Sequence, residues 1–380
     1  MQNLRALKIV FGKRMSHNSM KKKNINNNGT GISHHHLIES KVKKFARTHK
    51  KILVTGGAGY IGSHAVKLFL EKGYEVVVFD NLFRGFKEPI QILKKIGKLA
   101  FIQGDLRNKV DIEKVFRTHK IDCVLHFAAF CLVNESMENP GLYFENNVYG
   151  SLNLFEAMKK FKVGKIIFSS TCATYGETKY LPVDEKHPQN PVNPYGESKL
   201  LVEKMLPWYD AFGLRYVILR YFNICGAATS GIIGDSKKPS QLLMQNAVRG
   251  AMGIEPFAFT CAKVKTPDET PIRDYIDVED LVEAHFAAYE FLRVGGKSDV
   301  FNLGNGKGYS VKEIVSEVEQ NFGVKLKKVK APARKGEYAK IFANPKKAQR
   351  ILKWRPRKSI SDSVESLKKW YDGHPDGYEK

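Results

Sequence analysis

The run Lys51-Ile52-Leu53-Val54-Thr55-Gly56-Gly57-Ala58-Gly59-Tyr60-Ile61-Gly62 decides how this chain of 380 residues folds. Its first five residues are a short β-rich run, and a helix-like stretch follows the glycines to Lys72. Strand, glycine-rich turn and helix together give a glycine spacing chemical meaning. No side chain blocks a pyrophosphate there, and the helix N-terminus offers it free N–H groups. Gly56, Gly59 and Gly62 are therefore candidate cofactor contacts. The next strand, Glu75 to Phe79, ends in Asp80, at the distance where an acid accepts hydrogen bonds from an adenosine ribose. An acid there repels a 2′-phosphate, so NAD is expected rather than NADP.

Working outward, a βα alternation continues. Leu99 to Gln103 reads as a third strand ending at Gly104-Asp105-Leu106, suited to cup an adenine. Cys123 to Phe127 is a fourth, ending at Ala128-Ala129, small residues that let a cofactor lie close. A helix from about Pro140 to Lys162 leads to a fifth strand, Ile166 to Ser170; a helix from Asn193 to Pro207 leads to a sixth, Tyr216 to Tyr221. Such alternation predicts an α/β fold: a Rossmann-type doubly wound parallel sheet, with ligands at the carboxyl ends of the strands.

After Asn223 the alternation weakens. A Gly/Ser/Lys/Pro-rich loop precedes a helix near Ser240 to Met252, and Ile272 to Val278 is strand-like again. A helix (Glu279 to Arg293), a last strand (Val300 to Leu303) and a C-terminal helix around Ser361 to Tyr371 follow. The expected plan is a basic, disordered extension over residues 1–50 and a NAD-binding domain over 51–223, rejoined by about 274–303. A smaller substrate-binding lobe, 224–273 and 304–380, should close over the nicotinamide end.

Tyr195-Gly196-Glu197-Ser198-Lys199 lies in the helix before the sixth strand. Residues four apart on a helix share a face. A phenol titrates near 10 and is a poor base at neutral pH, but a nearby ammonium favours the phenolate. The pair suggests a proton shuttle for oxidising an alcohol or reducing a ketone. The fifth strand runs into Ser169-Ser170-Thr171-Cys172-Ala173-Thr174-Tyr175-Gly176, where one hydroxyl could bond the oxygen that Tyr195 deprotonates. Arg273 and Arg334 suit a diphosphate clamp, since guanidinium binds phosphate bidentately.

Composition bounds the rest. The 43% hydrophobic content is ordinary for a soluble globular protein, and no apolar run approaches the roughly 20 residues that span a bilayer. Five cysteines without close pairs argue against a disulfide framework and a zinc site; no metal is expected, and a reducing, cytoplasmic setting fits. Of the +23 net charge, residues 1–50 supply +11, with twelve Lys or Arg against the single acid Glu39. No nucleic-acid motif accompanies that charge, so neither a nucleic acid nor a membrane is expected as partner. Leu4, Leu7 and Phe11 recur at helical spacing among basic residues, as in an organelle presequence, but a frayed basic extension is the simpler reading. His34-His35-His36, on a polar segment, reads as solvated rather than metal-binding.

With residues 55–62, Asp80-Asn81, the Ser169 to Gly176 run, Tyr195/Lys199, Arg220-Tyr221-Phe222-Asn223 and Arg273-Asp274-Tyr275-Ile276 in order, the chain resembles the extended short-chain dehydrogenase/reductase superfamily. Within it, the nearest likeness is to the UDP-glucose (UDP-galactose) 4-epimerases and the plant-type UDP-arabinose 4-epimerases. The likeness covers about Lys51 to Tyr378, including a tail His374-Pro375-Asp376-Gly377-Tyr378. It implies an isomerase in which NAD stays bound, Tyr195 takes the sugar 4-OH proton while the C4 hydride moves to the nicotinamide, and the 4-keto sugar turns over before the hydride returns. It further implies that Lys199 lowers the Tyr195 pKa and contacts the nicotinamide ribose, and that Thr171 is the catalytic Ser/Thr. Tyr60, Ile61, Asp80, Asn81, Asp105, Leu106, Asn146 and Phe222 would bind NAD. Asn223, Leu242, Arg273, Arg334 and Glu337 would hold the UDP-sugar. A homodimer through a helical bundle is implied likewise.

The sequence departs from the pattern in places. Cys131 stands where bacterial 4-epimerases carry a cofactor-contacting lysine, Gln241 replaces an asparagine and Glu337 an aspartate. Glu269-Thr270-Pro271-Ile272 replaces a glycine-bearing turn before Arg273, and Ile341 falls where residue size sets tolerance for N-acetylated sugars. The sugar could be a hexose or, from the Ser169 to Gly176 run and the short loop at 227–240, a pentose. A dehydratase or decarboxylase would carry an Asp-Glu or Glu after the Ser/Thr, where Cys172-Ala173 stands. A non-catalytic NAD-sensing or RNA-associated relative would be expected to lose Tyr195 or Lys199.

Overall fold

A computed structural model describes residues 50–237, 240–330 and 338–378. The basic extension with its presequence-like face and its three histidines lies outside the described residues, as do Arg334 and Glu337. Seven strands form the central sheet: β1 (Lys51–Thr55), β2 (Glu75–Asp80), β3 (Leu99–Gln103), β4 (Ile121–His126), β5 (Lys165–Thr171), β6 (Arg215–Tyr221) and β7 (Asp299–Leu303). Their order across the sheet is β3-β2-β1-β4-β5-β6-β7, with every neighbouring pair parallel. The chain moves outward to β3 and then crosses back to β4, so the order reverses between β1 and β4. That reversal opens a crevice at the carboxyl ends of the strands.

The strands are apolar on both faces because both are covered. Ile52 and Val54 of β1 enter one core with Val66 and Phe69 of helix α1 (Tyr60–Glu71), while Leu53 points the other way. Leu53, Val77 and Phe79 meet Ile112 and Val115 of α2 (Lys109–Thr118), Phe155 of α3 (Gly150–Lys160), and Val202 and Leu206 of α4 (Pro194–Asp210). The first core continues into α6, below, through Leu281 and Tyr289.

A third core joins α5 (Leu243–Ala251), α7 (Val311–Phe322) and α8 (Ile360–Gly373) through Met244, Val248, Ile314, Val318, Leu367 and Trp370. Helix α6 (Val278–Arg293) is capped by the Asp277 carboxylate, which accepts from Glu279 N at 2.8 Å. The strand-like sequence at 272–278 is not one strand. Ile272–Arg273 pairs with Tyr309–Ser310 and Lys340–Ile341, whereas Tyr275–Asp277 pairs with Asn223–Cys225. The break falls at Asp274, whose buried carboxylate is claimed by the amides of Asn305 (2.8 Å), Gly306 (2.9 Å) and Ala343 (3.1 Å).

Two helices differ from their sequence-based outlines. The stretch expected as one helix from Pro140 contains a π segment, Phe144–Tyr149, between a short α-helical turn and α3. Helix α4 runs past Pro207 to Asp210. A proline inside a helix forfeits one backbone hydrogen bond. Here Leu206 and Tyr209 are buried around it, and the Tyr209 hydroxyl donates to Glu156 at 2.8 Å.

Candidate active site

The glycine turn is built from the inside. Gly56 has φ 73°, a left-handed conformation that favours glycine, and a Cβ there would lie 2.6 Å from Ala128 N. A Cβ on Gly62 would lie 2.1 Å from Gly56 O, so α1 begins hard against the turn. Gly59 differs: its Cβ would meet nothing nearer than Gly56 O at 3.4 Å, an ordinary contact. The protein's own packing does not require glycine at 59, but a ligand approaching the turn would. No side chain caps α1 and no acid occupies its first turn, leaving that end suited to a diphosphate.

Asp80 closes one end of the crevice. Its carboxylate, 8% exposed, accepts from Ala58 N at 3.0 Å and Leu82 N at 2.8 Å. Burial raises its pKa against these two bonds. Asn81 donates to Asp105 at 2.9 Å. Asp105, gripped by Arg107 through Nε (3.0 Å) and a terminal nitrogen (2.8 Å), is held down at about 2, chiefly by that bond. Leu106, Ala128, Ala129 and Asn146 complete the wall. Asn146 lies within the π segment, beside Asn147, which donates to Phe130 O at 3.0 Å and to Ser198 Oγ at 2.9 Å. Such turns recur at functional sites.

Tyr195 and Lys199 line this same crevice. Asn193 caps their helix by accepting from Gly196 N at 2.8 Å, with Pro194 in the first turn. The Thr171 side chain bonds the Tyr195 phenol, favouring the phenolate, and accepts from Ala173 N at 3.2 Å. Lys199 Nζ donates to Ser169 O at 2.8 Å and stands 4.8 Å from the centre of the Phe168 ring. Burial holds the Tyr195 phenol well above its ordinary pKa, against the bond from Thr171. The Lys199 ammonium is turned toward β5. Burial also lowers Lys199 itself, to about 8.

A second hollow is lined by Asn223, Leu242 and Arg273. Asn223 is two residues beyond Tyr221, which lines the first crevice. The Arg273 guanidinium lies 5.1 Å from the Tyr338 ring centre and donates to Ile272 O at 3.0 Å. Phe222, expected on the cofactor, does not line the crevice; it is 6% exposed and packs with Tyr175, Val183, Ile341 and Ala343. Sequence reasoning missed Arg84, Tyr221, Asp235 and Lys237, which do line it. Asp235 and Lys237 sit in a loop whose composition carries no periodicity that could have revealed them.

The chain matches the NAD dependent epimerase/dehydratase family over residues 52–304. It is 46% identical over 330 residues to the UDP-glucose 4-epimerase of Halalkalibacterium halodurans, covering 86% of this chain and 97% of that one. UDP-arabinose 4-epimerase 1 of Arabidopsis thaliana is 38% identical over 339 residues, 86% of this chain and 80% of that one. The crystal structure of UDP-glucose 4-epimerase from Bifidobacterium longum in complex with NAD+ and UDP superposes with a TM-score of 0.82. It is 36% identical and covers 87% of this chain and all of that one.

Proposed function

The chain belongs to the NAD-dependent epimerase/dehydratase family, and on that premise we propose that it is an NAD-dependent UDP-glucose 4-epimerase. It is an isomerase that interconverts UDP-glucose and UDP-galactose by reversible oxidation at sugar C4. The observation that carries this reading is that Tyr195, Lys199, the glycine turn and Asp80 line one crevice. Residues 51–223 with about 274–303 are read as the NAD-binding part, and 224–273 with 304–380 as the substrate lobe.

Bound NAD would supply the hydride acceptor and donor for C4. Tyr195 takes the proton from the sugar 4-OH and returns it, and the Thr171 hydroxyl holds that same oxygen. Lys199 braces the phenol's helix and would reach the nicotinamide ribose. Asp80 would accept from the adenosine ribose, Asn81, Asp105 and Leu106 would flank the adenine, and the first turn of α1 would take the diphosphate. Asn223, Leu242 and Arg273 would hold the UDP. Phe222 contributes by supporting the wall.

A pentose substrate, UDP-arabinose or UDP-xylose, is the second reading, favoured by the likeness to the Arabidopsis enzyme. A homodimer is supported by large apolar side chains exposed on the π segment (Tyr149), on α3 (Leu152), on α4 (Trp208) and in the turn just past α4 (Phe212). The five free cysteines suit the cytoplasm.

The test is to give purified protein UDP-glucose, UDP-galactose, UDP-xylose and UDP-arabinose in turn, separating products while watching the reduced-nicotinamide absorbance. Equilibration without net reduction is expected. Tyr195→Phe should abolish turnover with NAD still bound, and undiminished turnover in that variant would refute the assigned base.

A further inference from the structure

We propose that Lys237 is the cation that grips the dinucleotide's diphosphate, held over the first turn of α1 by Asp235. This rests on the reading that the crevice holds NAD. A diphosphate brings two negative charges, while a helix N-terminus offers only about half a positive one. The walls add the carboxylates of Asp80, Asp105 and Asp235, so a further cation is needed.

The other cations lining the crevice have partners of their own. Lys199 donates to Ser169 O at 2.8 Å. Arg84 is hydrogen-bonded to Glu135 and lies 4.7 Å from the Phe130 ring centre, with one terminal nitrogen buried and unpartnered among the described residues. Lys237 stands 5.8 Å from the ring centre of Tyr60, the first residue of α1. Its ion-pair partner is Asp235 at 3.4 Å, longer than a good charge-assisted hydrogen bond.

Asp235 is itself an anomaly. It is 2% exposed, and among the described residues neither carboxylate oxygen receives a well-formed hydrogen bond. A buried carboxylate is costly unless paired, which leaves the loose ammonium as its compensation. Burial works against the Lys237 charge, but Asp235 beside it keeps the pKa above the ordinary value. The loop is anchored: Trp370 Nε1 donates to Asp235 O at 3.1 Å, and Tyr378 N donates to Ser236 Oγ. Lys237 therefore projects from a fixed backbone, with its side chain a quarter exposed toward the crevice. Small movements of its flexible stem would let it share its three donors between Asp235 and a phosphate oxygen.

The experiment is titration of NAD into cofactor-stripped protein, with UDP as the second probe because it belongs to the other hollow. Lys237→Gln should weaken NAD about tenfold or more, as expected for losing one charge-assisted bond, with UDP affinity unchanged. Lys237→Arg should stay within about threefold of the parent for NAD, because the charge is kept. Unchanged NAD affinity in Lys237→Gln, or an equal loss for NAD and UDP, would overturn the assignment. A parent protein that binds no NAD would instead overturn the reading of the crevice itself.

Discussion

The Lys199 ammonium donates to the Ser169 carbonyl at 2.8 Å, tying the helix that carries Tyr195 to the strand that carries Thr171. The base and its hydroxyl partner are thus fixed to each other through a third side chain. Lys199→Met should leave a buried carbonyl unpaired and let the helix shift against the strand. Turnover at saturating NAD should fall by about 10²-fold or more, the usual scale for a proton-transfer partner. Lys199→Arg should not restore it, because the forked guanidinium is too large for a slot that leaves the lysine 4% exposed. Steady-state kinetics with added NAD check this.

The same lysine carries a pH signature. Its pKa falls from 10.5 unfolded to about 8 folded, because burial disfavours the ammonium. Between those values the unfolded chain binds more protons, so this group makes stability rise with pH. Below about pH 8 both states are protonated and the full cost of burying the charge is felt, roughly 3 kcal/mol from the size of the shift. Relative to the parent, the stability of Lys199→Met should therefore be most favourable near pH 7 and become less so as pH approaches 10. Urea unfolding at several pH values measures that difference; a pH-independent one would contradict the assigned burial cost.

Beneath the site, Glu203 accepts from Arg220 through Nε at 3.0 Å and a terminal nitrogen at 2.5 Å, with the side chains 4% and 6% exposed. Ser170 also donates to Glu203, and Arg220 donates to the Tyr175 hydroxyl at 3.0 Å. Glu203 lies one helical turn beyond Lys199, so the pair sets the rotation of α4. Glu203→Gln strands a buried guanidinium and should cost about 3–5 kcal/mol. Replacing both partners with leucine should recover much of that stability, since no uncompensated charge remains, yet turnover should stay low. Chemical denaturation and kinetics on the two variants separate the roles.

What the sequence made legible was local. Gly56 to Gly62 could be read because a strand precedes it and a helix follows. Tyr195 and Lys199 could be read because four residues on a helix share a face. Helix α7 was equally legible and went unread: Ser310 and Glu313 form a capping box, Ile314, Val315 and Val318 are its buried stripe, and Gly323 ends it with φ 65°. Other features depend on distant partners. The π turn at Asn147 answers to Phe130 and Ser198, and the passage of α4 through Pro207 depends on core burial of Leu206 and Tyr209. The protonation state of Tyr195 is of this kind too, because spacing says nothing of how dry a side chain will be.

Asp80 tests the choice of cofactor. Its carboxylate ends β2 facing the crevice, with one oxygen bonded to Ala58 N and the other to Leu82 N. Both bonds orient it, and each oxygen keeps a lone pair for a ribose hydroxyl. Burial raises its pKa; in its ionised form it repels a 2′-phosphate. Asp80→Asn keeps one carbonyl acceptor and removes the charge. NAD binding should weaken, since a neutral amide is the poorer acceptor. NADP binding should strengthen relative to NAD by at least about tenfold, the scale of removing one repulsive contact near a protein surface. Titrating both dinucleotides into the stripped parent and variant gives the ratio directly. A ratio that did not move would mean that the adenosine ribose lies elsewhere than against Asp80.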